Sequence, residues 1–179
     1  MEIFMLIICL IVIIFLIISF NNFVSLRNKV KQAKSSIEVY LNQRFDLIPN
    51  LVECVKGYMK HESETFTKIA EMRASYNDDK EKDLKKGSIL NSECNKLLAV
   101  GENNPNLEAN EQFINLQKSL SKMESQLQAA RRVYNGDVTL YNTTISTFPN
   151  VLVAKMFGFK EFELFEIEEY KKENINIDL

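Results

Sequence analysis

The chain has 179 residues, with 22 Lys and Arg against 24 Asp and Glu and a formal net charge of -2. Charges of both signs are interspersed, so no broad basic surface is available and we expect no nucleic-acid partner. The three cysteines, Cys9, Cys54 and Cys94, are far apart and odd in number, which argues against a disulfide framework and against a metal site.

Residues 3–20 form an apolar run in which Ser19 is the only polar residue. A run of this length can cross a bilayer as a helix, since spanning takes about 17–25 apolar residues. A cleaved signal peptide is the alternative, but the run exceeds the usual h-region, no Lys or Arg precedes it, and no A-x-A site follows. We therefore predict that residues 1–21 are a retained transmembrane anchor, which makes the membrane a partner through residues 3–20.

The charges that flank the run predict its orientation. Only Glu2 and the amino terminus precede it, whereas Arg27, Lys29, Lys31 and Lys34 follow it. Because cytoplasmic flanks are enriched in Lys and Arg, we expect a single-pass protein of the cell (inner) membrane. Its short N-terminus would lie outside and its main domain in the cytoplasm.

The next segment is predicted to be a long amphipathic helix. From Phe23 to Met59, apolar residues recur at steps of three and four, and Phe66 and Ile69 continue the pattern, which places them on one stripe of a long helix. Pro49 falls inside this stripe. It either kinks one continuous helix, as we expect, or lies in the first turn of a second helix that abuts the first. Asn77 and Asp78 end the pattern.

A shorter helix and a turn follow. Ser88 is a candidate cap for the shorter helix, which Gly101 would end. In the turn at 101–106, Asn104 is a candidate cap and Pro105 suits the first position of the following helix.

The clearest predicted element is the last long helix. Apolar residues recur in near-heptad order from Phe113 to Phe148, and Pro149 stops the pattern. Two long stripes joined by a shorter helix are best buried by antiparallel packing. The predicted fold class is therefore all-α, an antiparallel helical bundle over residues 22–158 with an N-terminal transmembrane helix.

After Pro149 the chain becomes rich in Phe and then acidic. The apolar side chains of residues 151–165 need to be buried, and we expect this segment to form a final short helix packed against one end of the bundle. The alternative is a segment that rests on the membrane surface or on a partner. Residues 159–179 are predicted to be an acidic C-terminal tail, with residues 168–179 frayed or disordered.

Catalytic patterns are absent from the sequence. His61 is the only histidine, and Thr65 stands where a zinc protease would need its second histidine. One histidine also cannot supply the ligand pairs of a di-iron bundle. Neither Cys54 nor Cys94 has a histidine at an informative spacing, and no Gly-x-Ser-x-Gly elbow or phosphate loop occurs. We expect a protein that is not an enzyme and has no cofactor, no metal and no catalytic residues.

Polar residues beside the apolar stripes are the candidates for a structural or interaction role. One group surrounds the proline of the first stripe, and arginines occupy the centre of the last helix, where cross-helix ion pairs would fix the register of the bundle. A ligand site is the alternative. Tyr and Asn pairs recur seven residues apart, so both tyrosines share one helix face; they either tie the helix to a neighbour or form a peptide-binding strip. The full set is Arg44, Asp46, Pro49, Asn50, Glu53, Arg131, Tyr134, Asn135, Tyr141, Asn142, Phe148 and Pro149.

Together with the anchor, four segments resemble the LemA family: FVSLRNKVKQA at 23–33, the block at 37–62, NPNLEANEQFINLQ at 104–117 and the block at 128–150. The signature segments are Arg44 to Glu53 and Ala129 to Pro149. The resemblance implies an N-terminal anchor and a cytoplasmic antiparallel bundle. It implies no established enzymatic activity, and it suggests a role in organising membranes or membrane complexes. Lys34, Cys54 and the connection at 78–90 depart from the usual pattern.

Two functions are consistent with these features. The anchor, the apolar stripes and the lack of a catalytic set favour a scaffold or docking module for membrane-associated complexes, with an unidentified protein partner or self-association into a homo-oligomer. The alternative is a membrane-tethered sensor that binds a small ligand or peptide near Asp46, Asn50, Glu53 and Arg131.

Overall fold

The computed structural model describes residues 1–56, 63–78, 84–102 and 104–165, and within these ranges all regular secondary structure is helical. The all-α prediction is confirmed. His61 and the predicted disordered end at 168–179 lie outside the described residues. The helices are α1 (Glu2–Phe45), α2 (Ile48–Lys56), α3 (Ser63–Asp78), α4 (Leu84–Glu102), α5 (Pro105–Glu108), α6 (Glu111–Ser146) and α7 (Asn150–Phe157).

The apolar run forms the first half of α1. Its side chains are exposed over most of residues 3–18, and the helix is long and apolar enough to span a membrane by length and composition. At about 1.5 Å per residue, the run from Ile3 to Phe20 measures about 27 Å, close to the thickness of a bilayer core.

Pro49 separates two helices. α1 ends at Phe45, and α2 begins at Ile48, so Pro49 lies in the first turn of α2, where its missing N–H costs no hydrogen bond. The predicted kink in one continuous helix is therefore wrong, and the arrangement of two abutting helices is correct. The physical reason is that a proline ring inside a helix collides with the carbonyl four residues earlier, here that of Phe45.

The described chain divides into two compact units. The first combines residues 1–36 with residues 130–165, and the second comprises residues 37–129. In the first unit the apolar stripe of α1 and those of α6 and α7 supply the core. Its buried apolar residues are Phe23, Leu26, Val30, Ala33, Ala130, Tyr134, Val138, Tyr141, Ile145, Val153, Ala154 and Phe165.

In the second unit, α4 packs against α2, α3 and α5. Helix α4 begins at Leu84, so Ser88 lies inside it and is buried; the prediction that Ser88 caps this helix is wrong. Asn104 caps α5, because its side chain accepts a hydrogen bond from Asn106 N at 3.2 Å, and Pro105 is the first residue of that four-residue helix. The prediction that these two residues start the last long helix is wrong, since α6 begins at Glu111, where the Asn110 side chain accepts from Gln112 N at 2.9 Å.

The C-terminal part confirms the predicted short helix. α7 buries Val153 and Ala154, and it ends at Gly158, whose φ of 72° is a conformation that favours glycine. The Phe159 amide then donates to the Ala154 carbonyl at 2.9 Å, which closes the helix end. Residues 159–165 leave this helix without regular secondary structure.

Candidate functional site

Two tyrosines on one face of α6 hold the segment that follows α7. The Tyr141 hydroxyl donates to the Lys160 carbonyl at 3.1 Å, and the Tyr134 hydroxyl donates to the Glu163 carbonyl at 3.0 Å. Both phenols are nearly buried, so their hydroxyls need partners inside the protein. They find them in the main chain of residues 159–165, which we call the extended segment.

The neighbouring asparagines hold the same segment by paired hydrogen bonds. Asn142 donates to the Phe162 carbonyl at 2.9 Å and accepts from the Phe162 amide at 3.0 Å. Asn135 donates to the Phe165 carbonyl at 3.0 Å and accepts from the Phe165 amide at 2.7 Å. Each side-chain amide thus occupies the position that a neighbouring β-strand would take. We call Tyr134, Asn135, Tyr141 and Asn142 the Tyr–Asn clamp.

The spacing of the clamp matches the spacing of the segment. Two positions seven residues apart on a helix are about 10.5 Å apart along its axis. The bound residues, Phe162 and Phe165, are three apart, and three residues cover that distance only when the chain is nearly fully extended. The segment runs antiparallel to α6, because Asn135 pairs with the later residue and Asn142 with the earlier one.

Aromatic side chains recur at every third residue of the extended segment, and each one packs against a different surface. The ring of Phe159 lies edge-on to Phe20 and Phe23, with centroids 5.6 and 5.3 Å away. The Phe162 ring packs on Tyr141 at 5.1 Å, and the Arg131 guanidinium lies 4.6 Å from the centre of the Phe165 ring. The clamp thus contacts the main chain of the segment, whereas these contacts involve its aromatic side chains.

Burial changes the acidity of both tyrosines. Desolvation raises the pKa of Tyr134, and the nearby Glu163 carboxylate raises it further. Desolvation also raises the pKa of Tyr141, against a smaller opposing effect of Arg27. Both hydroxyls therefore keep their protons, and so remain donors, to a higher pH than a free tyrosine would.

The group around Pro49 does not form one site. Arg44 is buried and forms an ion pair with Glu124, and it also donates to Asn95, while Asn91 donates to Glu124 at 3.2 Å. This network joins α1, α4 and α6 through partners that the sequence did not reveal. Asp46 instead pairs with Arg73 at 3.1 Å on the surface.

Asn50 and Glu53 line a cleft of about 640 Å³ in the second unit. Its lining is mostly polar and includes Cys54, Asn110 and Asn115. Asp46 and Arg131 are not among its lining residues; Asp46 lies elsewhere in the second unit. Arg131 belongs to the first unit, where it covers Phe165.

The remaining candidates lie elsewhere. Phe148 is 82% exposed just before α7, and Pro149 immediately precedes that helix. Cys94 is wholly buried in α4, and desolvation raises the pKa of its thiol to about 12, which removes it from nucleophilic chemistry at neutral pH. Among the described residues, no group of His, Cys, Asp and Glu side chains is arranged to hold a metal ion.

The sequence identified the clamp residues but not their ligand. The signal was available, because Phe159, Phe162 and Phe165 recur at three residues while the Tyr–Asn pairs recur at seven. The two repeats cover the same distance only in three dimensions, because an extended chain rises more than twice as far per residue as a helix does.

Comparison with known proteins finds a matching family model and several relatives. The model of the LemA family matches residues 33–179. Protein LemA of Metamycoplasma hominis is 24% identical over 153 residues, covering 84% of this chain and 70% of the relative. Magnetosome protein MamQ 2 of Paramagnetospirillum magneticum is 24% identical over 179 residues, and magnetosome protein MamQ of Magnetospirillum gryphiswaldense is 23% identical over 178 residues. The alignments cover 84% of this chain but 66% and 65% of those two proteins, so the chain spans about two thirds of their length.

Proposed function

The chain belongs to the LemA family, and from that premise we propose that it is a non-enzymatic docking module anchored in the cell membrane by residues 3–20. The basic residues after the apolar run support a cytoplasmic location for the helical domain. Some relatives are named as magnetosome proteins, which is consistent with a role at membranes.

The observation that carries the proposal is the double pairing of Asn135 and Asn142 with the main chain of an extended segment. Recognition through main-chain hydrogen bonds, with pockets for recurring side chains, is a general way in which proteins bind extended peptides. The ligand class is therefore a partner segment with an aromatic residue at every third position. The chain's own segment fills the clamp and must be exchanged for the partner's.

A second copy of this chain carries such a segment, so the same exchange would account for self-association. Because the chain's own segment is tethered, it competes at a high effective concentration and keeps the clamp closed to weak ligands. Docking then depends on release of the tethered segment.

A labelled peptide with the sequence FKEFELF, residues 159–165, tests the proposal on the full-length protein in detergent. We expect weak binding to the wild type and clear binding to Phe162→Ala, in which the tethered segment is weakened. Adding Asn142→Asp should reduce that binding about ten- to hundredfold, because a carboxylate would face the Phe162 carbonyl in place of a donor.

A peptide with all three phenylalanines changed to alanine is the matched control and should not bind. Equal binding of both peptides, or no binding to Phe162→Ala, would contradict the proposed function.

The cleft beside Asn50 and Glu53 supports the second candidate, a sensor of a small polar ligand. A ligand present at 100 times its dissociation constant adds about 2.7 kcal/mol of stability. Thermal stabilisation of the full chain by a polar metabolite, lost in Glu53→Ala, would favour this candidate.

A further inference from the structure

Helix α7 and the residue that precedes Pro149 present apolar side chains that the first unit leaves about half or more exposed. Phe148, Leu152, Met156 and Phe157 are exposed by 82, 61, 60 and 49% of their surface. Leu152 and Met156 lie four residues apart in the helix and so share a face, while Val153 and Ala154 point into the core. These four exposed residues form what we call the apolar foot.

The contacts of α7 fix its level along α1. The Ser19 hydroxyl donates to the Asn150 side-chain oxygen at 3.4 Å, and the Phe157 ring lies 5.0 Å from that of Phe20. Ser19 and Phe20 are the last residues of the apolar run. The lone polar residue of that run is thus explained, since its hydroxyl faces α7.

The end of a spanning run lies at the boundary between acyl chains and headgroups. A helix packed beside that end must itself lie at the same depth. Amphipathic helices at this depth rest in the plane of the interface with their apolar face buried about 5–10 Å. The exposed Lys155 next to the foot, and Arg27 and Lys29 on α1 beyond it, suit a surface of anionic headgroups.

We propose that the apolar foot inserts into the lipid surface beside the anchor, so that the protein contacts one leaflet through α7 as well as through α1. The inference rests on the anchoring part of the proposed function and is independent of the peptide. Insertion of α7 places the Tyr–Asn clamp next to the membrane, because the segment that the clamp holds begins directly after Gly158.

The chain contains no tryptophan, so a single introduced tryptophan is an unambiguous fluorescent probe. We would place Leu152→Trp and Met156→Trp separately in the full-length protein, reconstituted in vesicles of phosphatidylcholine and phosphatidylglycerol. Lipids brominated near the glycerol end of their chains should quench both probes strongly and shift their emission to the blue.

Val133→Trp is the matched control. Val133 belongs to the same unit and is 58% exposed, but it lies on α6, about two heptads before the first residue of the foot, and so at a distance from the proposed membrane surface. Its emission should remain that of a water-exposed indole. Ile11→Trp, in the middle of the run, should be quenched by lipids brominated deep in the acyl chain.

Quenching at positions 152 and 156 above that at position 133 supports the inference. Quenching at position 11 without quenching at the foot overturns it while leaving the anchor intact. An absence of quenching at all positions overturns both the foot and the proposed anchor. Burial of the foot by a protein partner would leave positions 152 and 156 unquenched by lipid, and so also counts against the inference.

Discussion

At the scale of single residues, Arg44 shows how a charge is retained inside this fold. Its side chain is 2% exposed, whereas that of its partner Glu124 is 24% exposed. A buried ion pair is weak evidence of net stability, but removal of one partner is costly because the other charge stays buried. The oxygens of Glu124 and Asn95 accept hydrogen bonds from this guanidinium, and Asn91 and Gln128 in turn donate to Glu124.

We therefore expect Glu124→Gln to lower the free energy of unfolding by about 3 kcal/mol, the low end of the range for breaking a buried pair. Lys96→Ala is the control, since its pair with Glu93 lies on the surface with Lys96 66% exposed, and it should cost less than about 1 kcal/mol. Denaturant unfolding of the two variants measures the difference. Equal effects would contradict a structural role for the Arg44 network.

At the scale of elements, the fit between α6 and the extended segment depends on the protonated state of two phenols. Each Tyr hydroxyl donates to a main-chain carbonyl, and a phenolate has no proton to donate. In the unfolded chain tyrosine titrates near pH 10. Burial raises the pKa of Tyr134 and Tyr141 above that value in the folded protein.

The sign of the pH effect follows from this shift. The stabilisation from the two phenols is complete below about pH 10 and is lost as the pH rises through the folded-state pKa values, because the unfolded chain binds fewer protons there. We expect the free energy of unfolding to fall more steeply above pH 10 in the wild type than in the double variant Tyr134→Phe, Tyr141→Phe. Parallel curves for the two proteins would show that the phenols do not contribute.

At the scale of the whole molecule, two of the three cysteines can report on which side of the membrane the helical domain lies. Cys94 is buried with its thiol pKa raised to about 12, whereas Cys54 is partly exposed in α2. A domain in the cytoplasm would shield both from a reagent that cannot cross the membrane.

In cells that carry single-cysteine variants, we expect an impermeant maleimide to label neither Cys54 nor Cys94 while the membrane is intact. After permeabilisation, Cys54 should react, and Cys94 should react only after denaturation. Labelling of Cys54 on intact cells would place the domain on the outer side and refute the proposed orientation.

The sequence by itself determined the helical class, the apolar run and the last long helix, because these depend on composition and on periods of three to four residues along one chain. It also singled out the four clamp residues, since their seven-residue repeat is local. The clamp's ligand and the partners of Arg44 were decided by the tertiary structure, because each depends on matching two segments that are distant in sequence. The break before Pro49 is a local steric effect, but the sequence pattern left a kinked helix and two abutting helices both open. A pattern of residue types along the chain does not specify which two surfaces come into contact. That is decided by close packing and by the need of buried polar groups for hydrogen-bond partners.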